Sequence, residues 1–114
     1  MSKYDLEERT LAFSKKLIKT LNKLPKNLSN YKLSGQVISS GTSIGANYRE
    51  ANGAESKKDF RHKISLSLKE SKETVYWLEI LISSNSVFLK ELYELLKEVK
   101  EFILIFGRIV SQCK

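Results

Sequence analysis

Residues 56–83 read SKKDFRHKISLSLKESKETVYWLEILIS. Within them Phe60, Ile64, Ser67, Ser71, Thr74, Leu78 and Leu81 recur at alternating four- and three-residue steps. That spacing brings side chains onto one face of an α-helix. Ser56 followed by Asp59 resembles a capping box with Asp in the Glu position, which predicts the helix start. The middle of the stripe is small and polar, so its neighbour must come close. A second line on the same helix reads Leu66, Glu70, Glu73, Trp77 and Ile80.

The preceding segment supplies a suitable neighbour. In a helix predicted over 29–51, Leu33, Val37, Ser40, Ile44, Asn47 and Ala51 share a face. Residues 39–46 are almost all small, and helix propensity there is poor. Packing must therefore hold this helix, and Gly41 and Gly45, four residues apart, read as points of close helix contact. They do not read as a phosphate loop, which needs Gly-Lys-Ser/Thr between a strand and a helix. Ser29 or Asn30 is expected to cap the start, and Asn52-Gly53 to end it.

Working outward, residues 4–24 carry Leu6, Phe13, Leu17, Leu21 and Leu24 at helical spacing, with Leu11 and Ile18 expected to widen the stripe. Pro25 stops that helix. A Ser-Asn loop at 83–86 leads to a last helix predicted over 87–112. Leu89, Leu92, Leu96, Val99, Ile103, Phe106 and Val110 form its stripe, and Leu95, Phe102, Ile105 and Ile109 broaden it. With apolar residues on more than one face, one face is expected to pack the core and another to meet a second subunit. No period-two strand pattern competes, and one Pro and five Gly leave little punctuation. The expected fold is all-α: an antiparallel up-down-up-down four-helix bundle forming a single domain over residues 1–114.

The run Ser40-Gly41-Thr42-Ser43-Ile44-Gly45-Ala46-Asn47, followed by Asp59-Phe60 and by Ser67-Leu68-Lys69-Glu70-Ser71 through Tyr76-Trp77-Leu78, resembles the four-helix-bundle family named after the 23S ribosomal RNA intervening sequence. The resemblance covers roughly residues 33–81. It implies an up-down bundle and a ring-like homopentamer. It also implies kinship with the accessory variability determinant proteins of diversity-generating retroelements, which are basic pentamers that bind nucleic acid and a reverse transcriptase. At Tyr48 and Arg49 the chain departs from the family pattern, which more often has an apolar and an acidic residue there.

Charge is uneven. The chain holds 20 Lys+Arg against 13 Asp+Glu, a formal net charge of +7. Most of the excess lies in the first helix and the loop after it, at Lys15, Lys16, Lys19, Lys23 and Lys26. Lys15, Lys19, Lys23 and Lys26 fall at four- and three-residue steps, one line along a helix. Such a row can follow a phosphate backbone. A second basic cluster, Lys57, Lys58 and Arg61 with His62 and Lys63, sits at the start of the third helix, where cations oppose the helix dipole. No recognition-helix pattern, zinc finger or RNA-binding aromatic motif is visible, so RNA or DNA contact is expected at phosphates rather than bases.

Other chemistry is not indicated. Glu70 and Glu73 sit one turn apart, but a bundle di-metal site needs Glu-x-x-His pairs, and His62 is the chain's one His. Neither a metal nor a cofactor is expected. Glu70, Glu73 and Arg49 are instead expected to form a polar network. A single Cys113 excludes an intramolecular disulfide and suits a reducing cytoplasm. The first residues lack the apolar stretch of a signal peptide, and the longest uncharged run, residues 33–48, is too short and polar to span a bilayer. The expected function is a non-enzymatic, basic, oligomeric, nucleic-acid-binding accessory protein. The competing expectation is a protein-interaction scaffold that recruits a partner enzyme without binding nucleic acid itself.

Overall fold

The computed structural model describes residues 3–113. They form four α-helices: α1 (Lys3–Leu21), α2 (Leu28–Asn52), α3 (Lys57–Ser84) and α4 (Leu89–Gln112). Short loops make each helix antiparallel to the next, and side-chain pairs show it. Thr10 meets Gly45 while Leu17 meets Gly41; Ile44 bonds Ser67 while Ser40 bonds Thr74; Arg9 bonds Glu98 while Lys16 bonds Glu94. The result is an up-down-up-down bundle measuring 45 × 22 × 19 Å. The α2–α3 contact is the most extensive, and the α1–α4 contact that closes the bundle is the least.

The core follows the helical stripes. Leu17, Val37, Ile44, Ile64, Leu78, Leu92, Val99, Phe102 and Phe106 are wholly buried. Phe13 meets Phe102 edge-to-face with ring centroids 5.7 Å apart, a preferred aromatic geometry. The small-residue stretch of α2 serves two neighbours at once. Gly41 and Gly45 point at α1: a Cβ on Gly41 would collide with Leu17, and one on Gly45 would lie 2.7 Å from Thr10 Oγ1. Ser40 and Ile44 point at α3 instead. There the buried Ser67 hydroxyl donates to the Ile44 carbonyl at 2.9 Å, and the Thr74 and Ser40 hydroxyls share a hydrogen bond of 2.8 Å. Buried hydroxyls cost free energy unless bonded, and these are bonded to helix carbonyls or to each other. The polar middle of α3 is thus satisfied inside a seam too narrow for larger side chains.

Several boundaries and faces differ from expectation. The first helix ends at Leu21, and a tighter turn carries Lys23 and Leu24, whose amides reach Thr20 and Leu21. The cap of α2 is Asn27, not Ser29 or Asn30: its side chain accepts from the Asn30 amide at 2.8 Å. Asn30 is buried and serves the opposite loop. Leu11 and Ile18 are 41% and 39% exposed; α1 is covered on one narrow side only, so they lie outside the core rather than widening it. On α2 the buried phase runs through Tyr48, and Asn47 is only half-buried. Ser56 caps α3 as expected, accepting from the Asp59 amide at 3.0 Å. The last helix starts at Leu89. Phe88 takes the cap position with φ 58°, a left-handed conformation strained for a bulky residue.

Candidate nucleic-acid interface

The first helix and the turn after it carry the basic row. Lys15 and Lys19 are exposed on α1, Lys23 on the turn, and Lys26 in the loop. None of these four pairs with an acid among the described residues. Because α1 ends at Leu21, the row bends after Lys19 rather than running straight along one helix. Lys16 belongs to a different face: its Nζ lies 3.2 Å from Glu94 on α4. The sequence holds no Asp or Glu between Glu8 and Glu50, so the acids of α1 lie in its first turns, ahead of the row, and the α1–α2 loop and most of α2 supply none.

Beside the row lies a groove of about 800 Å³ between the α1–α2 loop and the outer face of α2. Leu28 and Tyr31 line it at 75% and 79% exposure. Lys26 and Lys32 border it, and no acidic residue lines it. Neither Leu28 nor Tyr31 belongs to the buried stripe of α2. The signal that marks them is a second line on the same helix, Leu28, Tyr31, Gly35 and Ile38 at three- and four-residue steps, running beside the buried one and packed on the core only at Ile38.

The other basic cluster is at the opposite end of the bundle. Lys57, Lys58 and Arg61 begin α3, next to the end of α4. With Phe60, Gln112 and Cys113 they line a cleft of about 600 Å³. Arg61 Nε donates to the Cys113 carbonyl at 3.0 Å, and Lys63 is drawn to Glu50 at 3.2 Å. The two basic clusters therefore face different ends and form no continuous surface on one chain.

The residues expected to share one polar network divide between two places. Arg49 turns to α1, where its Nε lies 3.9 Å from Glu7 Oε1. Glu7 also accepts from Asn52 Nδ2 at 2.7 Å. The buried Tyr48 beside them has its phenol pushed above its ordinary value, chiefly by burial, with the Asn52 side chain acting the other way and Glu7 adding to the rise. Glu70, half-buried on α3, is likewise held above the usual carboxylate range. Burial is the main cause and the Glu73 charge the second, while Lys69 and the Ser43 hydroxyl pull it down. Two turns on, Trp77 packs edge-on against Tyr76 at 5.0 Å. Its shielded Nε1 has no hydrogen-bond partner among the described residues.

No group of His, Cys, Asp and Glu among the described residues is arranged to hold a metal ion. No described helix is long and apolar enough to cross a membrane. The α1–α4 seam is closed by Arg9. Its Nη2 and Nε lie 2.6 and 3.2 Å from the two Glu98 oxygens. Its guanidinium sits 5.4 Å from the Phe102 ring centroid.

Comparison with known proteins agrees with this architecture. A crystal structure of a protein of unknown function from the S23 ribosomal protein family of Bacteroides thetaiotaomicron is 31% identical in sequence. It aligns over 93% of this chain and 98% of that one, with a TM-score of 0.81. No match was found among curated proteins. The sequence pattern of the 23S rRNA-intervening sequence proteins matches residues 2–107. With four antiparallel helices, a tight small-residue seam between α2 and α3, and a match along nearly its whole length, the chain belongs to the 23S rRNA-intervening sequence protein family.

Proposed function

We propose that the chain is a non-enzymatic accessory protein that holds nucleic acid by its phosphates and works as a homo-oligomer in a reducing, cytoplasmic setting. The observation that carries this reading is the row Lys15, Lys19, Lys23 and Lys26. All four are exposed, and none is paired with an acid among the described residues. Lysines held in internal ion pairs have little charge left to offer a ligand. These four are free to displace counterions from a phosphate backbone. Assembly would repeat the row around the oligomer and multiply its field. The outer face of α4 supports assembly, with Tyr93 and Leu104 exposed at 55% and 74%.

The test is the triple charge reversal K15E, K19E and K23E. These side chains are exposed, so the fold should melt as before. Affinity for RNA or DNA at low salt should collapse. Unchanged affinity would overturn the assignment of this face. The exposed apolar residues of α4 also suit a scaffold that recruits a partner enzyme. Under that reading the same triple variant keeps its partner, and the unaltered chain binds no nucleic acid at low salt.

A further inference from the structure

We infer that the groove beside Tyr31 seats an unstacked base of a single-stranded nucleic acid, with Tyr31 as the stacking platform and Lys26 and Lys32 on the flanking phosphates. This rests on the nucleic-acid reading above and narrows its ligand from any phosphate polymer to one with free bases.

Three observations point to it. The first is Tyr31 itself, 79% exposed on the first turns of α2, one turn from an equally open Leu28. Two large apolar side chains held in water have an unused face, and a tyrosine ring is a sequence-tolerant surface for a base. The second is the shape behind them. Gly35 lies in line with Leu28 and Tyr31, and a Cβ there would meet nothing within 4 Å. The groove, at about 800 Å³, is wide enough for a nucleoside. The third is charge. Lys26 and Lys32 border the apolar floor and no carboxylate does. A single-stranded nucleotide matches that pattern: a flat apolar face with a negative charge at each side.

A duplex does not match it. Its bases are stacked inward, so Leu28 and Tyr31 would be pressed against sugars and phosphates, burying apolar surface against charge. An apolar peptide would leave the two lysines unanswered in a groove without acids. Single strands supply both components, and the lysines of α1 then continue the phosphate track away from the groove.

The test uses the full-length chain and fluorescence anisotropy with labelled oligo-U, oligo-dT and a duplex of equal length. Tyr31→Ala should weaken single-strand binding by roughly 5- to 150-fold, the range of one lost stacked base. It should change duplex binding less than about twofold. Tyr31→Phe should restore single-strand affinity, since the ring and not the hydroxyl does the stacking. The RNA and DNA arms show whether the sugar matters. If Tyr31→Ala binds single strands as well as the unaltered chain while the K15E/K19E/K23E variant does not, the stacking inference falls and the phosphate reading stands. If the unaltered chain binds no oligonucleotide at low salt, both fall. Uptake of phosphatidylglycerol vesicles without oligonucleotide binding would overturn them too, in favour of a membrane surface.

Discussion

Asn30 near the start of α2 and Asn85 just beyond α3 face each other as a closed amide pair. Asn30 Nδ2 donates to Asn85 Oδ1 at 2.9 Å, and Asn85 Nδ2 donates back to Asn30 Oδ1 at 2.8 Å. Each amide spends its second hydrogen on a carbonyl, Asn30 on Pro25 and Asn85 on Leu81, both at 2.8 Å. The pair ties the α1–α2 loop to the α3–α4 loop and fixes the end of the bundle that carries the groove. Asn85→Ala leaves the buried Asn30 with an unsatisfied donor and acceptor, so it should cost about 1–3 kcal/mol of stability by urea unfolding. A loss below about 0.5 kcal/mol would mean the pair contributes nothing the solvent cannot supply.

Two glycines should respond in opposite directions. At Gly45 an added Cβ would lie 2.7 and 2.9 Å from Thr10 Oγ1 and Cβ. Thr10 is β-branched and its hydroxyl is bonded to the Leu6 carbonyl at 2.9 Å, so it has little room to give. Gly45→Ala should destabilise by about 1–3 kcal/mol. At Gly107, inside α4, nothing lies within 4 Å of the added atom. Gly107→Ala should stabilise by about 0.5–1 kcal/mol through a stiffer unfolded chain and better helix propensity. Thermal melting of the two variants side by side checks both signs.

Glu70 gives a prediction in pH. Burial, reinforced by Glu73, holds its folded-state carboxyl above the ordinary value. The folded chain therefore binds that proton more tightly than the unfolded chain does. Its contribution to stability is fully present below the unfolded value and is lost as pH rises through the folded one. Glu70→Gln should raise the melting temperature at pH 7, and the advantage should shrink as the buffer is taken down through the carboxylate range. A gain that is the same at both pH values would show that charge is not its cause.

Arg9 is placed where lysine cannot replace it. Its two nitrogens reach the two oxygens of Glu98, and its plane lies against Phe102. A lysine offers one point charge and no fork. The Arg9 and Glu98 side chains are 28% and 30% exposed, so the loss is moderated by solvent. Arg9→Lys should cost about 0.5–1 kcal/mol by urea unfolding. Arg9→Ala should cost more, because the stem also covers Phe102.

The helices were readable because their buried residues keep period: Leu17, Val37, Ile44, Ile64, Leu78 and Val99 stand in the stripes that spacing draws, and all are wholly buried. Close approach at Gly41 and Gly45 was readable as well, since two glycines at one helical pitch have few other uses. Their partner was not. Spacing cannot say which neighbour a face meets, and the glycines press on α1 while Ser40 and Ile44 press on α3. The same limit misplaced Leu11 and Ile18, apolar residues of α1 that stay 41% and 39% exposed outside the core. It also joined Arg49 to Glu70, when the rotation of α2 aims Arg49 at Glu7. The lysine row was legible as charge. The bend after Lys19 was not, because the turn carrying Lys23 depends on how Leu24 reaches the core. Tyr31 was hidden by the stronger stripe on its own helix.

The most direct measurement is the salt dependence of nucleic-acid affinity for the unaltered chain, on a sample whose mass has been fixed by light scattering. Single strands release about 0.7 counterion per phosphate contacted. Engagement of Lys15, Lys19, Lys23 and Lys26 then predicts a log Kd against log salt slope of about 3 per protomer between about 50 and 300 mM salt. A flat dependence, or no binding at about 50 mM, would contradict the assignment and leave the row as solvated surface.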